Sequence, residues 1–414
     1  MPQFKPFKGI RPVKEIAGFF STKSIDSFTL EELEKETAQN ADSFLQIIKP
    51  TWEKANVEAE VRLKEIAENF QNFVKSNHSE QDKTSFYIYQ LTKPDKEQVR
   101  GIIGLVNLED YKSGKIKKHE ETLTKRVELF ANYLKNVHFH SEPVLLTYPH
   151  NQRIDLLMEV EMKKLAAASF TDKDENLHQL WQIENRLNLQ QIKDSIEKYE
   201  ALYIADGHHR MESSLVYSEY TRSQMKEVSE HDPVNYTMAM LVSDRELIIK
   251  DYNRVITDLN GLSEEEFLKA IQEKFDMAER GENVFFPTKK HNIGMYLNGK
   301  FYSLFVKREA LSVKGLSELD TYLLEELILK PILNIQNTSD DNRIGFVRGT
   351  GNTNGIKKLQ KKVDSGKFKL GFFLYPVAAR DLEMIADLGL KMPPKSTYIE
   401  PKPLSGLNIF QLKE

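Results

Sequence analysis

Ala201-Leu202-Tyr203-Ile204-Ala205-Asp206-Gly207-His208-His209-Arg210-Met211-Glu212-Ser213-Ser214-Leu215 is the stretch from which the fold is read. The apolar succession Ala201 to Ile204 has the character of a short buried strand. Asp206-Gly207 signals a turn, because glycine takes positive φ freely and aspartate bonds to nearby backbone. From His209 onward Met211 and Leu215 recur at helical spacing. The sequence therefore predicts strand, tight turn and helix, with two imidazoles and a guanidinium on the helix's first turn.

That arrangement has a physical use. A helix start presents unpaired N–H groups and a partial positive charge, which together attract anions. Arg210 adds a planar fork suited to phosphate, and His208 or His209 can donate a hydrogen bond or take a proton near neutral pH. The small residues Gly207, Ser213 and Ser214 leave room for a ligand. The expected site is a phosphate cradle of Asp206, Gly207, His208, His209 and Arg210, and it is not a Walker loop, since no GxxxxGK[ST] occurs.

Working outward, 414 residues exceed one ordinary core and predict two domains, placed at 1–250 and 251–414. A 40% hydrophobic, 29% charged composition is that of a soluble globular protein. The formal charge of −4 lacks the basic surplus of a nucleic-acid binder. The absence of cysteine excludes disulfides, thiol catalysis and Cys-ligated zinc. With no signal-like N-terminus and no membrane-length apolar run, a cytoplasmic protein without a membrane partner is the default expectation.

Toward the N-terminus, Arg11 is expected to face solvent, and Ser43 to Pro50 reads as a strand ended by proline. A helix is predicted from Val57 to Val74. An antiparallel pair is predicted from Ser85–Gln90 and Arg100–Val106. The polar loop that follows carries His119 and Glu120, an acid/base pair, with the cations Lys125 and Arg126 just beyond. His138-Phe139-His140 is expected on a surface strand edge, Val160 to Ala168 as a helix, and Tyr236 to Val242 as a core strand. Beyond residue 250, Asn298-Gly299 between alternating apolar runs predicts a hairpin. Asp340-Asp341 is a turn whose carboxylates offer themselves to Mg²⁺. The stretch Met392 to Pro403 is stiffened by prolines, so Lys395, Ser396, Thr397, Glu400 and Lys402 lose little entropy on meeting a ligand.

These motifs resemble those of the family known as domain of unknown function 1015. The resemblance rests on Pro6-Phe7, Asp110-Tyr111 through Thr122, Asp206 to Arg210, Asp251-Tyr252-Asn253-Arg254 and Met392 to Lys402. Where family members carry a Pro-Pro-Tyr-Asp-like turn, this chain has Gly18 to Ser24, which bears on substrate choice. The Asp-Gly-x-x-Arg turn is also similar to that of the ParB and sulfiredoxin-like superfamily, which holds nucleotide phosphates there and includes free-serine kinases. The resemblance implies an α+β fold. It has a mixed or antiparallel sheet around the strand–turn–helix core, with a second α+β unit.

The resulting expectation is a nucleotide-dependent phosphotransferase acting on a small polar metabolite. Phosphates of ADP or ATP, with Mg²⁺, would sit at Asp206–Arg210, aided by Lys395, Ser396, Thr397 and Lys402. Glu120, His119 or His209 would handle the proton, and Lys125 and Glu400 would contact the metabolite. A phosphatase or hydrolase on the same parts, and a non-catalytic nucleotide sensor or partner-binding protein, are the alternatives. No residue set is assigned to a metal, and the oligomeric state is not read from the sequence.

Overall fold

The apolar runs Phe86–Thr92 and Gln98–Asn107 lie antiparallel, and a mixed sheet is built on them. The structure is a computed structural model and describes residues 1–48, 59–311, 315–350, 353–400 and 402–413. Two compact units divide the chain. One holds the described parts of 1–117, 122–247 and 401–414; the other holds those of 118–121 and 248–400. The division therefore differs from a single cut at 250. The C-terminal stretch goes to the first unit because Phe410–Gln411 pairs with Phe139–His140. Residues 118–121 go to the second unit, where Met392 donates its N–H to the His119 carbonyl at 2.8 Å.

In the first unit the sheet runs in the order Ile116–Lys117, Leu202–Asp206, Val144–Tyr148, Tyr236–Ser243, Gln98–Asn107, Phe86–Thr92, Leu177–Ile183, Ala168–Thr171. Ile116–Lys117 with Leu202–Asp206, and Val144–Tyr148 with Tyr236–Ser243, are its parallel pairs; the rest are antiparallel. The central strands are buried along their length, which is why they read as continuous apolar runs rather than alternating ones. Phe4 packs on Phe86 with ring centroids 4.7 Å apart.

In the second unit the order is Phe275–Gly281, Lys300–Val306, Asn292–Leu297, Leu370–Phe373, Tyr252–Ile256, Ile344–Arg348, antiparallel throughout. The Asn298-Gly299 hairpin forms as expected, with φ of 47° and 79° at its two central residues. Helices with a mixed sheet in the first unit and an antiparallel sheet in the second make the chain α+β.

Several local expectations are corrected. Leu45–Ile48 is a helical turn, with Phe44 buried beneath it; a four-residue apolar run does not distinguish strand from buried helix. Lys49, Pro50 and the start of the predicted helix at Val57 lie outside the described residues, and that helix is seen as Ala59–Val74. The helix expected at Val160 to Ala168 starts earlier, as Gln152–Glu161. Asn151 caps it by accepting the Arg153 N–H, and Ala168 already belongs to a strand. Arg11 is buried rather than solvent-facing, because Glu80 and Asp82 (3.0 Å) neutralise it. His138-Phe139-His140 is no surface edge either: Phe139 and His140 are buried under the C-terminal strand. Asp341 spends its carboxylate on Arg343 at 2.8 Å, which holds it below the usual carboxylate range.

Gly104 marks how tightly the first core closes. A Cβ there would come within 2.6 Å of the Phe4 ring and 2.7 Å of Phe86. Gly104→Ala is expected to cost about 1–3 kcal/mol of unfolding free energy, measured by urea titration. An unchanged midpoint would show that these rings have room to move.

Candidate functional site

The strand Leu202–Asp206 does not run straight into the turn. Ile204 faces Leu146 and Asp206 faces Leu145, so Ala205 is an extra residue, a bulge. Bulges re-aim side chains, and this one sits immediately before the first polar group of the motif. Gly207 then takes φ +95° and caps the helix His208–Gln224. A Cβ at Gly207 would lie 3.3 Å from Arg210 Nε, so the glycine both supplies the left-handed turn and lets Arg210 fold back over it.

Arg210 uses its fork on protein acceptors. Nη1 donates to the Pro143 carbonyl at 2.6 Å and lies 3.4 Å from Glu142; Nη2 reaches Asp206 at 3.3 Å. The guanidinium thus ties the first helical turn to the start of the neighbouring strand. On its other oxygen Asp206 meets Lys402 Nζ at 3.0 Å, a contact spanning 196 residues. Two cations and two carboxylates therefore interlock at the helix start.

His209 Nε2 accepts the Leu123 N–H at 3.1 Å, which requires a neutral ring with its proton on Nδ1. His208 is buried. Ser213 and Ser214 do not open space for a ligand, as the sequence suggested. Both are buried and donate to the carbonyls of His209 and Arg210, each at 2.7 Å, and Ser214 also meets Thr237 at 3.1 Å. Lys125 is exposed on the first turn of Thr124–Val137.

Four residues not assigned to the site from sequence complete it, one of them His140, which the sequence placed on a surface edge. Glu142 and Pro143 precede the strand Val144–Tyr148, and Ser405 donates its hydroxyl to Glu142. His140 is buried, stacks on Phe410 at 6.0 Å, and its Nε2 makes no hydrogen bond among the described residues. Burial first, and the Arg210 charge second, push its pKa down to about 3. The segment Gly18 to Ser24 reaches this site through Thr22, which pairs with Ser405 by bonds of 3.1 and 2.7 Å. None of these carried a local signal, because every contact joins distant parts of the chain.

The remaining predicted residues belong to the second unit. His119 is wholly buried and Glu120 partly so. Ser396 is buried and donates to the Pro393 carbonyl at 2.6 Å, with Thr321 at 3.0 Å, so it shapes the proline-rich stretch. Lys395 is exposed at φ 58°, and Thr397 is half-buried. Glu400 pairs with Lys250 at 3.2 Å, beside the short ladder of Ile248–Lys250 with Tyr398–Glu400. Pro401 lies outside the described residues. Within Asp251-Tyr252-Asn253-Arg254, Asn253 accepts the Leu374 N–H at 3.0 Å. Arg254 donates to the Pro394 carbonyl at 3.2 Å and lies 5.0 Å over the Phe346 ring; burial lowers its pKa to about 10, leaving it charged at neutral pH. Among the described residues no cluster of three His, Asp or Glu forms a metal cage.

The buried histidines set a pH dependence. His138, His140 and His178 all have pKa values lowered by burial from the ordinary 6.5. The unfolded chain then binds more protons than the folded one below pH 6.5, so stability falls as pH drops from there toward 3. His140→Phe, which keeps an aromatic ring against Phe410, is expected to flatten that loss by something on the order of 3 kcal/mol, read from urea midpoints at pH 7 and 4. Parallel pH profiles for the two proteins would place the acid sensitivity elsewhere.

Among curated proteins none matches this chain. In structure it is distantly similar to a free serine kinase in complex with AMP, at 11% identity and a TM-score of 0.36 over 75% of this chain and 90% of the other. SbnI with C-terminal truncation from Staphylococcus aureus shows 11% identity and a TM-score of 0.39, over 73% and 85%. A conserved hypothetical protein from Pyrococcus furiosus shows 12% and 0.32, over 74% and 94%. A family model matches residues 4–322, and the chain belongs to the family described as Protein of unknown function (DUF1015).

Proposed function

We propose that this chain binds the phosphates of a nucleotide at the turn following Leu202–Asp206 and transfers a phosphoryl group to a hydroxyl of a small polar metabolite. One observation carries the reading: Lys402 is brought across the chain to Asp206 at the start of the 17-residue helix His208–Gln224. A lysine, an arginine and a helix N-terminus on one turn are what polyanionic phosphate requires. In the nucleotide complex, phosphate oxygens would take over Lys402 from Asp206, while Arg210 keeps the turn in place through Pro143.

Phosphoryl transfer asks mainly for positioning and charge neutralisation. Asp206, once released by Lys402, is a carboxylate able to join a nucleotide-borne Mg²⁺, an ion that ordinarily takes one or two carboxylates with substrate phosphates. The chemistry such an ion supplies is neutralisation of phosphate charge. On sequence grounds Glu120, His119 or His209 would take the proton of the attacking hydroxyl. A second reading, a nucleotide sensor without chemistry, is favoured by the commitment of Arg210 and His209 to protein partners.

Thermal denaturation with ADP, ATP and CTP tests the binding step. A nucleotide at a hundred times its Kd adds about 2.7 kcal/mol of stability, a shift of a few degrees. Lys402→Ala is expected to weaken that binding about tenfold and to lower the unliganded midpoint by no more than a few degrees, since a pair this exposed contributes at most about 1 kcal/mol. Incubation with ATP, Mg²⁺ and L-serine, followed by ³¹P NMR, tests turnover. Glu120→Ala is expected to bind nucleotide and fail to turn over. No stabilisation by any nucleotide at millimolar concentration would remove the proposal, and binding without turnover on any hydroxyl metabolite would favour the sensor.

A further inference from the structure

The long helix has a second charged end. Its last turn carries Arg222, which lines a cavity of about 290 Å³ together with Glu109, Glu230, Asn107, Asn235 and Tyr236. Elsewhere in the first unit, opposite charges that come close join: Lys112 with Glu219 at 2.9 Å, Lys115 with Asp110 at 2.8 Å. Around this cavity Arg222, Glu109 and Glu230 are all exposed. Among the described residues, neither the Arg222 guanidinium nor the Glu109 and Glu230 carboxylates enter a hydrogen bond or an ion pair within 4.0 Å, although all three border one space.

The walls between those charges are held. Tyr236 donates to the Glu230 carbonyl at 2.6 Å and accepts from Lys5, whose ammonium also lies 4.6 Å from the Tyr236 ring centroid. Asn235 donates to the Ser229 carbonyl at 2.7 Å, and Asn107 donates to Gln3 at 3.2 Å while capping Glu109 N–H at 2.8 Å. Pinned amides and a phenol thus hold the wall of a cavity whose lining also includes one exposed cation and two exposed carboxylates.

We infer that this cavity is a binding site for a small zwitterion of the amino-acid type, its carboxylate on Arg222 and its ammonium on Glu109 and Glu230. An anion alone would face two carboxylates, and a cation alone would face the guanidinium; only a molecule carrying both charges satisfies the set. Guanidinium–carboxylate pairing is bidentate and directional, so Arg222 fixes the ligand's orientation. At about 290 Å³ the space is at the lower end of ligand pockets and too small for a nucleotide. A helix of 17 residues is about 25 Å long, so this ligand stands a helix-length away from the turn at Asp206. The site is independent of the nucleotide reading.

Isothermal titration of the full chain, without nucleotide, tests it with glycine, L-alanine, L-serine, L-glutamate and L-lysine in turn, and with propionate and ethylamine as the two halves of a zwitterion. At least one amino acid is expected to bind at least about tenfold more tightly than either half. Arg222→Gln, on an exposed position where folding is preserved and checked by circular dichroism, is expected to lose that affinity about tenfold or more, as is Glu230→Gln. Lys198→Gln, outside the cavity lining, is expected to leave it unchanged. Propionate binding as tightly as the amino acids, an Arg222→Gln variant of unaltered affinity, or no saturable binding by any of the five up to about 20 mM would overturn the inference.

Discussion

The first unit depends on a guanidinium that faces inward. Arg210 draws the Pro143 carbonyl, Glu142 and Asp206 together, joining the opening of the long helix to the strand beside it. A half-buried charge of this kind stabilises only if its partners are complete, since removing one leaves the others uncompensated. Completion here comes from far away in the chain: Lys402 balances Asp206, and Ser405 bonds Glu142. The turn that looks self-contained in sequence is therefore assembled from three regions of the polypeptide.

That assembly explains what the sequence showed and what it hid. The strand, the turn and the helix around Asp206-Gly207 were legible because each is a local matter of apolar run, positive φ and helical spacing. The hairpin at Asn298-Gly299 was legible for the same reason. The mistaken segments were those where short apolar runs serve two structures, as at Leu45–Ile48. Others were polar residues that found distant partners: Arg11 became buried because Glu80 sits on the paired strand Ser79–Gln81 and Asp82 just beyond it. Serine spacing suggested an open cradle at Ser213 and Ser214, but hydroxyls inside a helix can also bond back to carbonyls one turn earlier, and these do.

In the second unit, polar groups do a structural task. Arg254 and Asn253 hold the Pro394 carbonyl and the Leu374 amide. Ser396 is drawn inward by Thr321 and Pro393. Gly349 follows the same logic: a Cβ there would fall 1.9 Å from the Asp251 carboxylate, so the glycine makes room for a buried acid.

The route of the C-terminal residues also governs the order in which the molecule can be made. Ile409 bonds to Ile10, Phe410–Gln411 pairs with Phe139–His140, and Leu412 donates to the His138 carbonyl. On a ribosome, residues 248–400 emerge after Ile10 and His138–His140 but before residues 409–412, the other half of each contact. The later-numbered unit can close its sheet while the earlier one still waits for its final strand. Until that strand arrives, the Phe139–His140 edge lacks its partner, and nascent chains stalled short of residue 409 would expose it to quality-control machinery.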